Sequence, residues 1–160
     1  MEITDDPKMF LKWPNDLFVM ATPPAKLAGI LCESSPSWGT VVGFGINLSS
    51  HPEIEQNAKH LSSFLTKDHG DKLRTELLLA LVQKFEELMR RYTEEGDMFK
   101  SWLIAQLQRK TMRPFLKLKE IKVHGKKVRP LEILNDGSLE VYDFELGKPM
   151  LLSSGVVDFS

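Results

Sequence analysis

The sequence predicts an α+β fold, in which a partial mixed or antiparallel sheet with packed helices is followed by a small β-barrel. Three observations along the 160 residues lead to this prediction. Short β-like segments fill residues 8–48, an apolar stripe at helical spacing occupies residues 71–93, and β-like runs return from about residue 111. We therefore expect two domains, at residues 1–110 and 111–160.

Three strands are expected in the first domain, at residues 8–13, 26–33 and 39–48. The first ends at Pro14, which has no N–H for a ladder, and the Asn15-Asp16 pair that follows favours a turn. Ser34-Ser35-Pro36-Ser37 marks a turn between the second and third strands. Two strands joined in this way indicate an antiparallel hairpin.

The third strand has two very different faces, because successive side chains alternate across a strand. One face carries Val42, Phe44, Ile46 and Leu48, and the other carries Gly43, Gly45 and Asn47. The apolar face is suited to packing on a helix. The glycine face is nearly bare, which is typical of a strand that a ligand or another backbone approaches closely.

Three helices are expected after these strands. The first begins near residue 53, since Pro52 then lies close to the first helical position. The second covers residues 71–93, where one apolar stripe recurs at spacings of three and four residues: Leu73, Leu77, Leu81, Phe85, Leu88 and Tyr92. Gly96 ends this region, and Asp97 is expected to cap a third helix that carries Phe99, Trp102, Leu103 and Leu107.

The last fifty residues read as strands, at 115–123, 127–134, 138–144 and 149–158. Asn135-Asp136-Gly137 is a strong hairpin-turn signal between two of them. Residues 110–129 are rich in basic side chains: Lys110, Arg113, Lys117, Lys119, Lys122, Lys126, Lys127 and Arg129. A solvated face explains this charge, and a docking surface for an acidic partner or for nucleotide phosphates is the alternative. Only Phe115 could stack on bases there, so we expect no nucleic-acid partner.

The composition excludes several classes of protein. The net charge of −1 gives no overall field that would recruit nucleic acid or an anionic membrane. Cys32 is the only cysteine, which excludes an internal disulfide and fits a reducing compartment. The four histidines are scattered, so we expect no structural metal. No apolar run reaches the roughly 18–20 residues that span a bilayer, and the cytoplasm is the expected location. A location in an organelle is the alternative, since a transit peptide could lie upstream.

Three short motifs in residues 12–47 suggest a site for an anionic, phosphorylated ligand. They are Lys12-Trp13-Pro14-Asn15-Asp16, Lys26-Leu27-Ala28-Gly29-Ile30-Leu31 and Gly43-Phe44-Gly45-Ile46-Asn47. A lysine at a strand end is usually a surface charge, but Lys26 stands at the mouth of a glycine-lined groove, where it supplies a point charge to carboxylate or phosphate oxygens. The glycines lack the spacing of a dinucleotide-binding loop.

In order and spacing, these motifs resemble the catalytic domain of biotin protein ligases. Lipoate ligases resemble the pattern more loosely and usually lack the Lys-Trp-Pro-Asn-Asp form. The helices and the β-rich C-terminal region also fit the order of the ligase family, and the resemblance implies that the small barrel is an SH3-like domain. The resemblance implies an enzyme that joins biotin to ATP as biotinoyl-5′-adenylate and passes biotin to a lysine of a carboxylase carrier domain.

The resemblance also implies roles for individual residues. Lys26 would be the catalytic lysine that contacts the biotin carboxylate and the phosphate of the mixed anhydride. The biotin and adenylate would lie against Gly29, Ile30, Leu31, Gly43 and Gly45. The ATP phosphates and Mg²⁺ would be positioned by Lys12, Asn15, Asp16 and Asn47.

The chain also departs from the family pattern. No segment matches the Gly-Arg-Gly-Arg-x-x-Arg loop that closes over the adenylate, so we expect the C-terminal half of a catalytic domain, with the upstream half absent. Two alternatives stay open: a lipoate-type acyl ligase or transferase, and an inactive fragment that binds a nucleotide or a partner. An exposed sheet edge would favour a homodimer.

Overall fold

The computed structural model describes residues 9–49, 59–64, 72–108 and 112–158. It confirms the α+β class, with two antiparallel sheets and a small number of helices. The helix expected near residue 53 lies outside the described residues. No helix in the described ranges is long and apolar enough to cross a membrane.

The elements follow one another in the order strands, helices, strands. The first half contains β1 (Met9–Lys12), β2 (Asp16–Val19), β3 (Ala25–Ser35), β4 (Gly39–Ile46) and a 3₁₀-helix (Leu61–Phe64). The middle contains α1 (Lys72–Glu95), α2 (Asp97–Gln106) and α3 (Arg113–Leu116). The last part contains β5 (Ile121–Val123), β6 (Lys126–Ile133), β7 (Leu139–Asp143), β8 (Lys148–Leu152) and β9 (Val157–Asp158).

The chain divides into two compact units. The first unit comprises Met1–Met9 and Asn15–Arg90, and the second comprises Phe10–Pro14 and Arg91–Ser160. Each unit has buried apolar side chains of its own, which is what an independent core requires.

The first unit is built on an antiparallel run of β2, β3 and β4. The expected hairpin between the second and third predicted strands is confirmed as β3–β4, whose register ends at Ser35 opposite Gly39. The sequence does not predict β2, because Asn15-Asp16 indicates only a turn. The turn covers residues 13–15, and Asp16 already pairs opposite Gly29.

A small cluster of buried side chains holds this sheet to the 3₁₀-helix. Val19, Leu27 and Leu61 form its centre. The half-buried side chains packed around them are Met9, Leu17, Leu48, Phe64 and Leu77. The cluster ties the inner part of β3 to the start of α1 through Leu77.

The two faces predicted for this strand are confirmed for its apolar side chains and its glycines, but the prediction is wrong for Asn47. Phe44 and Ile46 border a groove that α1 lines on its other side, and Gly43 and Gly45 border a separate cavity. Asn47 borders the groove and not the cavity. The stripe predicted along α1 is only partly buried, since Leu73 is buried whereas Phe85 stays exposed. The rings of Phe44 and Phe85 meet edge to face at 6.2 Å, so the helix touches β4 without closing over it.

Besides Phe10–Pro14, the second unit contains the end of α1 and the whole of α2. The sequence predicts Asp97 as the cap of α2, and this is wrong. Gly96, with φ of 55°, takes the N-cap position, and Asp97 is the first helical residue. Glycine adopts this left-handed backbone without steric cost, and a carboxylate in the first turn is favoured by the helix dipole.

The remaining strands form a sheet in the order β8-β7-β6-β5-β9. Its buried residues include Ile121, Val128, Leu139 and Val141, and Phe115 of α3 is buried as well. The predicted strand at 115–123 is shorter than expected, since residues 113–116 form α3 with Pro114 in the first turn, where its missing N–H costs nothing. The predicted strand at 149–158 is divided into β8 and β9.

The hairpin predicted at Asn135-Asp136-Gly137 is confirmed. Leu134 N–H donates to the carbonyl of Ser138 at 2.9 Å, and Gly137 has φ of 87°. The indole N–H of Trp13 donates to the carbonyl of Gly137 at 3.0 Å. The turn glycine is therefore also the acceptor that fixes Trp13.

Asp143 caps the turn that follows β7. Its carboxylate is buried, and Oδ1 accepts hydrogen bonds from the backbone N–H groups of Glu145 at 2.8 Å and Leu146 at 3.0 Å. The bond from Leu146 is the main cause that lowers the pKa of Asp143 below its ordinary value, and burial opposes it. Since the folded-state pKa is depressed, the carboxylate stabilises the fold above about pH 4 and loses this contribution as the pH falls further.

We expect Asp143→Asn to lower the melting temperature at pH 6, because a neutral amide is a weaker acceptor for the two turn N–H groups. The difference from the original chain should shrink below about pH 4, where Asp143 itself becomes protonated. Thermal unfolding followed by circular dichroism at several pH values measures this difference. Glu132→Gln, at an exposed carboxylate on β6, is the control. If the difference in melting temperature between Asp143→Asn and the original chain stays constant down to about pH 3, the charge of the Asp143 carboxylate does not stabilise the turn.

Candidate functional site

An ion pair lies at the centre of the site. The Nζ atom of Lys26, on β3, is 2.7 Å from Oδ1 of Asp16, on β2. The Lys26 side chain is 47% exposed and that of Asp16 is 18% exposed. The lysine charge is therefore held in place by one short carboxylate contact and still faces solvent, where an anion can reach it.

The register of β2 on β3 creates this contact. Asp16 pairs opposite Gly29 and Leu17 opposite Ala28, and an irregularity between Leu17 and Phe18 then brings Phe18 opposite Lys26. Gly29 has no side chain, so the carboxylate of Asp16 and the ammonium of Lys26 can both lie over its backbone.

An open cavity of about 440 Å³ surrounds the ion pair. β3 contributes Lys26, Gly29, Ile30 and Leu31, and β4 contributes Gly43, Phe44 and Gly45. Asn15 and Asp16 complete the lining. The structure therefore brings together eight of the ten residues that the sequence singles out, and it adds Phe44.

The three glycines of the cavity are not equivalent. A Cβ at Gly29 would lie 3.0 Å from Oδ1 of Asp16 and 3.3 Å from Nζ of Lys26. A Cβ at Gly43 or Gly45 would lie 3.7 or 3.9 Å from the nearest backbone oxygen, which is ordinary van der Waals contact. The close approach that the sequence predicts for the glycine strand is sharpest at Gly29 on the neighbouring strand.

Asn15 fastens the chain to β3. Its backbone carbonyl accepts a hydrogen bond from Ile30 N–H at 2.9 Å, and its side-chain Nδ2 donates to the Ile30 carbonyl at 2.6 Å. The amide nitrogen is thus committed to the backbone. The side-chain oxygen is the atom of Asn15 with the chemistry to face a cation or a donor in the cavity.

Asn47 is outside the cavity lining and holds the backbone of Lys26. Its Nδ2 donates to the Lys26 carbonyl at 3.2 Å, and its N–H donates to the Leu27 carbonyl at 3.0 Å. Lys59 N–H donates to the same Lys26 carbonyl at 3.0 Å. Lys12, a half-buried residue of β1, is likewise not among the lining residues.

Protein ligands for a metal are few in the part of the chain that the structure describes. No group of three or more His, Cys, Asp and Glu side chains comes together there. Asp16 and the oxygen of Asn15 are hard ligands of the kind that Mg²⁺ takes alongside phosphate oxygens and water.

Similar folds occur among solved structures. The chain matches a crystal structure of biotin protein ligase from Aquifex aeolicus with a TM-score of 0.73 and 25% sequence identity, over 95% of this chain and 65% of that one. It matches the apo structure from the same organism with a TM-score of 0.71 at 24% identity, with the same coverage. The chain has the fold of a biotin protein ligase. No protein-family model matches it.

Two further matches are ligand complexes of the same Aquifex ligase. One is bound to biotin and ATP, with a TM-score of 0.68 and 24% identity. The other is an arginine-to-glycine mutant bound to biotin, with a TM-score of 0.70 and 25% identity. This chain covers 61% and 62% of those two chains. It therefore spans less than two thirds of the length of the ligases it matches.

The sequence does not predict two features of the site. The first is the ion pair between Asp16 and Lys26, since the motif resemblance implies that Asp16 faces phosphate or Mg²⁺. The second is that Phe44 reaches the cavity as well as the α1 side of β4. The opposite charges of Asp16 and Lys26 are compatible with an ion pair. The sequence does not show that the two residues meet, because this depends on the register of β2 on β3.

We expect Gly29→Ala to lengthen the contact between Lys26 Nζ and Asp16 Oδ1 beyond 2.7 Å, because the new methyl group would lie only 3.0 Å from the carboxylate oxygen and 3.3 Å from the ammonium and would push both aside. Gly45→Ala is the matched control on β4 and should leave the contact unchanged. Crystal structures of both variants measure the distance. An unchanged ion pair in Gly29→Ala contradicts the steric role of this glycine.

Proposed function

We propose that this chain carries the lysine-centred part of an ATP-dependent biotin protein ligase site. Residues 1–110 would belong to the catalytic domain, and residues 111–160 would form an SH3-like domain. The observation that carries the proposal is the Lys26 ammonium, held over the bare backbone of Gly29 in an open cavity of a ligase fold. Such a position suits a ligand that is flat, apolar and anionic at one end.

In the first proposed step, a biotin carboxylate oxygen attacks the α-phosphorus of ATP. The bond from that phosphorus to the bridging oxygen breaks, and pyrophosphate leaves with the electron pair. The product is biotinoyl-5′-adenylate, a mixed anhydride. Negative charge gathers on the transferring phosphoryl oxygens, and a fixed ammonium such as Lys26 stabilises the transition state at that point.

In the second proposed step, the amine of a carrier lysine attacks the acyl carbon of the adenylate. The amide bond forms, the amine loses a proton, and AMP leaves. The same Lys26 charge then stabilises the oxygen that becomes negative as the anhydride breaks. The partner is the biotin carrier domain of a biotin-dependent carboxylase.

Asp16 has two roles in this proposal. Without a ligand it holds Lys26 by the 2.7 Å ion pair, so the lysine is already placed when a substrate arrives. If Mg²⁺-ATP binds, Asp16 and the side-chain oxygen of Asn15 would be oxygen ligands for the metal, and the phosphates would take the place of the Asp16 carboxylate beside Lys26. Lys12 and Asn47 lie outside the cavity lining and would support the phosphate side indirectly, Asn47 through its hydrogen bond to the Lys26 carbonyl.

The apolar part of the cavity would hold the organic rings. Ile30 and Leu31 are exposed on β3 and would form a wall for biotin and the adenylate. Gly43 and Gly45 leave the opposite strand without side chains, so that a ring can lie against the backbone. Burying these exposed isoleucine and leucine side chains against a ligand would stabilise the complex, at about 25 cal/mol per Å² of apolar surface covered.

We expect Lys26→Ala to slow formation of biotinoyl-5′-adenylate by about 100- to 1,000-fold, the usual effect of removing one group that stabilises transition-state charge. Pyrophosphate release from the chain with biotin, ATP and Mg²⁺ measures this step. Lys84→Ala is the control, since Lys84 is also an exposed lysine in a 2.8 Å ion pair, with Glu87 on α1. Equal rates for Lys26→Ala and the original chain would exclude the catalytic role of Lys26.

An assay of biotin transfer to a carrier domain distinguishes the proposed ligase from a lipoate-type ligase and from an inactive fragment. The chain is mixed with biotin, ATP, Mg²⁺ and a carrier domain, and the carrier is analysed by mass spectrometry. We expect the carrier to gain one biotinoyl group. Transfer of lipoate but not of biotin identifies a lipoate-type ligase instead. No transfer, together with no binding of biotinoyl-5′-AMP in calorimetry, would show that the chain is not a ligase.

A further inference from the structure

Trp13 is a buried residue to which the proposed reaction assigns no role. It is 2% exposed, whereas Trp38 and Trp102 are 55% and 43% exposed. Trp13 belongs to the second unit, and the chain passes into the first unit two residues later, at Asn15. The next residue, Asp16, carries the carboxylate of the central ion pair. Trp13 therefore stands directly before two residues of the candidate site.

One hydrogen bond fixes the indole ring of Trp13 within the second unit. Its N–H donates to the carbonyl of Gly137 at 3.0 Å, although the two residues are 124 positions apart in the chain. An indole has one donor and no acceptor, so this bond satisfies the whole polar group of a buried side chain. Breaking it would leave a buried N–H without a partner, which costs free energy. The bond therefore holds the ring in one place.

The acceptor of this bond is itself held by the turn around it. Gly137 N–H donates to the Leu134 carbonyl at 2.9 Å, and Leu134 N–H donates to the Ser138 carbonyl at 2.9 Å. Oδ1 of Asp136 accepts hydrogen bonds from the N–H and the hydroxyl of Ser138, at 2.9 and 2.6 Å. Gly137 has φ of 87°, which a glycine adopts without strain. The turn therefore presents its carbonyl to Trp13 from a fixed position.

Pro14 makes the connection from Trp13 to Asn15 stiff. A proline ring fixes φ at about −65° and also restricts the residue before it. Two residues of backbone span at most about 7 Å, so a displacement of Trp13 is carried to Asn15. Asn15 is bound to Ile30 through its carbonyl at 2.9 Å and its side-chain Nδ2 at 2.6 Å. The short segment that leads into the site is thus held at both ends.

We propose that Trp13 is a positioning residue for the candidate site. By binding the Gly137 carbonyl, its indole N–H sets where the chain enters Asn15 and Asp16, and so where the Asp16 carboxylate meets Lys26. Trp13 is not among the residues that line the cavity, so it acts only through its neighbours in the chain. The consequence for catalysis rests on the proposed ligase function, in which Asn15 and Asp16 face Mg²⁺-ATP. The effect on the backbone does not.

The first test follows the backbone and needs no substrate. Ile30 N–H donates to the Asn15 carbonyl, so its hydrogen exchange, measured by NMR, reports how firmly Asn15 is held. Trp13→Phe keeps an aromatic ring and removes the donor. It should speed the exchange of the Ile30 amide about 3- to 10-fold, the change that one lost hydrogen bond gives. Leu61 N–H, bonded to the Asn47 carbonyl at 2.8 Å in the same unit, should keep its original rate.

A second variant changes the acceptor and leaves Trp13 intact. Gly137→Ala places a side chain at φ of 87°, so the turn has to relax and its carbonyl moves. It should speed the same Ile30 exchange. Combined with Trp13→Phe, it should add less than its separate effect, since both substitutions act on one hydrogen bond.

Two matched controls make the same substitutions away from this bond. Trp38→Phe alters an exposed tryptophan, and Gly147→Ala alters a glycine with φ of 65° in another turn of the second unit. Neither should change the exchange of the Ile30 amide. Equal acceleration in a control, acceleration of the Leu61 amide as large as that of Ile30, or an unchanged Ile30 amide in either folded variant overturns the proposal. If Trp13→Phe does not fold, Gly137→Ala decides alone.

The second test asks whether this positioning matters to the reaction. In the pyrophosphate assay, Trp13→Phe should raise the KM for Mg²⁺-ATP about 3- to 10-fold and leave the KM for biotin unchanged. The reason is that Asn15 and Asp16 would face the phosphates, whereas biotin would lie against β3 and β4. An unchanged KM for Mg²⁺-ATP, or equal changes in both KM values, overturns the role in catalysis. If the original chain shows no turnover, the ligase function fails, while the exchange of the Ile30 amide still decides the role of Trp13.

Discussion

The candidate site depends on one constraint, the register of β2 on β3. Asp16 stands opposite Gly29, and only there can its carboxylate reach Nζ of Lys26 at 2.7 Å. A slip of one residue would turn every side chain of β2 to the other face of the sheet. The register shifts by one residue between Leu17 and Phe18, so that Leu17 pairs opposite Ala28 and Phe18 pairs opposite Lys26. The position of the lysine charge is therefore a property of the sheet as a whole.

The backbone beneath the ion pair is held by hydrogen bonds from both sides. Asn15 exchanges two bonds with Ile30, and Asn47 donates to Lys26 and Leu27. Both side-chain amides use their nitrogen in this way. An asparagine can support the strand with its NH₂ group and still offer its oxygen to a cation, so a structural role and a ligand-binding role do not exclude each other.

β4 separates two surfaces of different chemistry. Its glycines face the Lys26 cavity, and its apolar side chains face the groove along α1. Phe44 borders both the cavity and the groove. The first surface holds the ion pair of Lys26 and Asp16, while the second is bordered by exposed apolar side chains of α1. Apart from Phe44, the two surfaces use different residues of the strand, so a substitution at Gly43 or Gly45 changes the cavity and one at Val42 or Ile46 changes the groove.

The sequence by itself determined the features that depend on local pattern. The α+β class, the β3–β4 hairpin, the alternation of β4, the extent of α1 and the turn at Gly137 all follow from periodicity, glycine and turn chemistry within short windows. The motifs also selected the residues that line the cavity. Only the tertiary structure decided the existence of β2 and the pairing of Asp16 with Lys26. It also decided that a Cβ would be crowded at Gly29 but would have ordinary contacts at Gly45. It likewise decided that one side of α1 stays open. These features depend on contacts between residues that are distant in sequence, and periodicity shows which face of a segment is apolar but not what covers it.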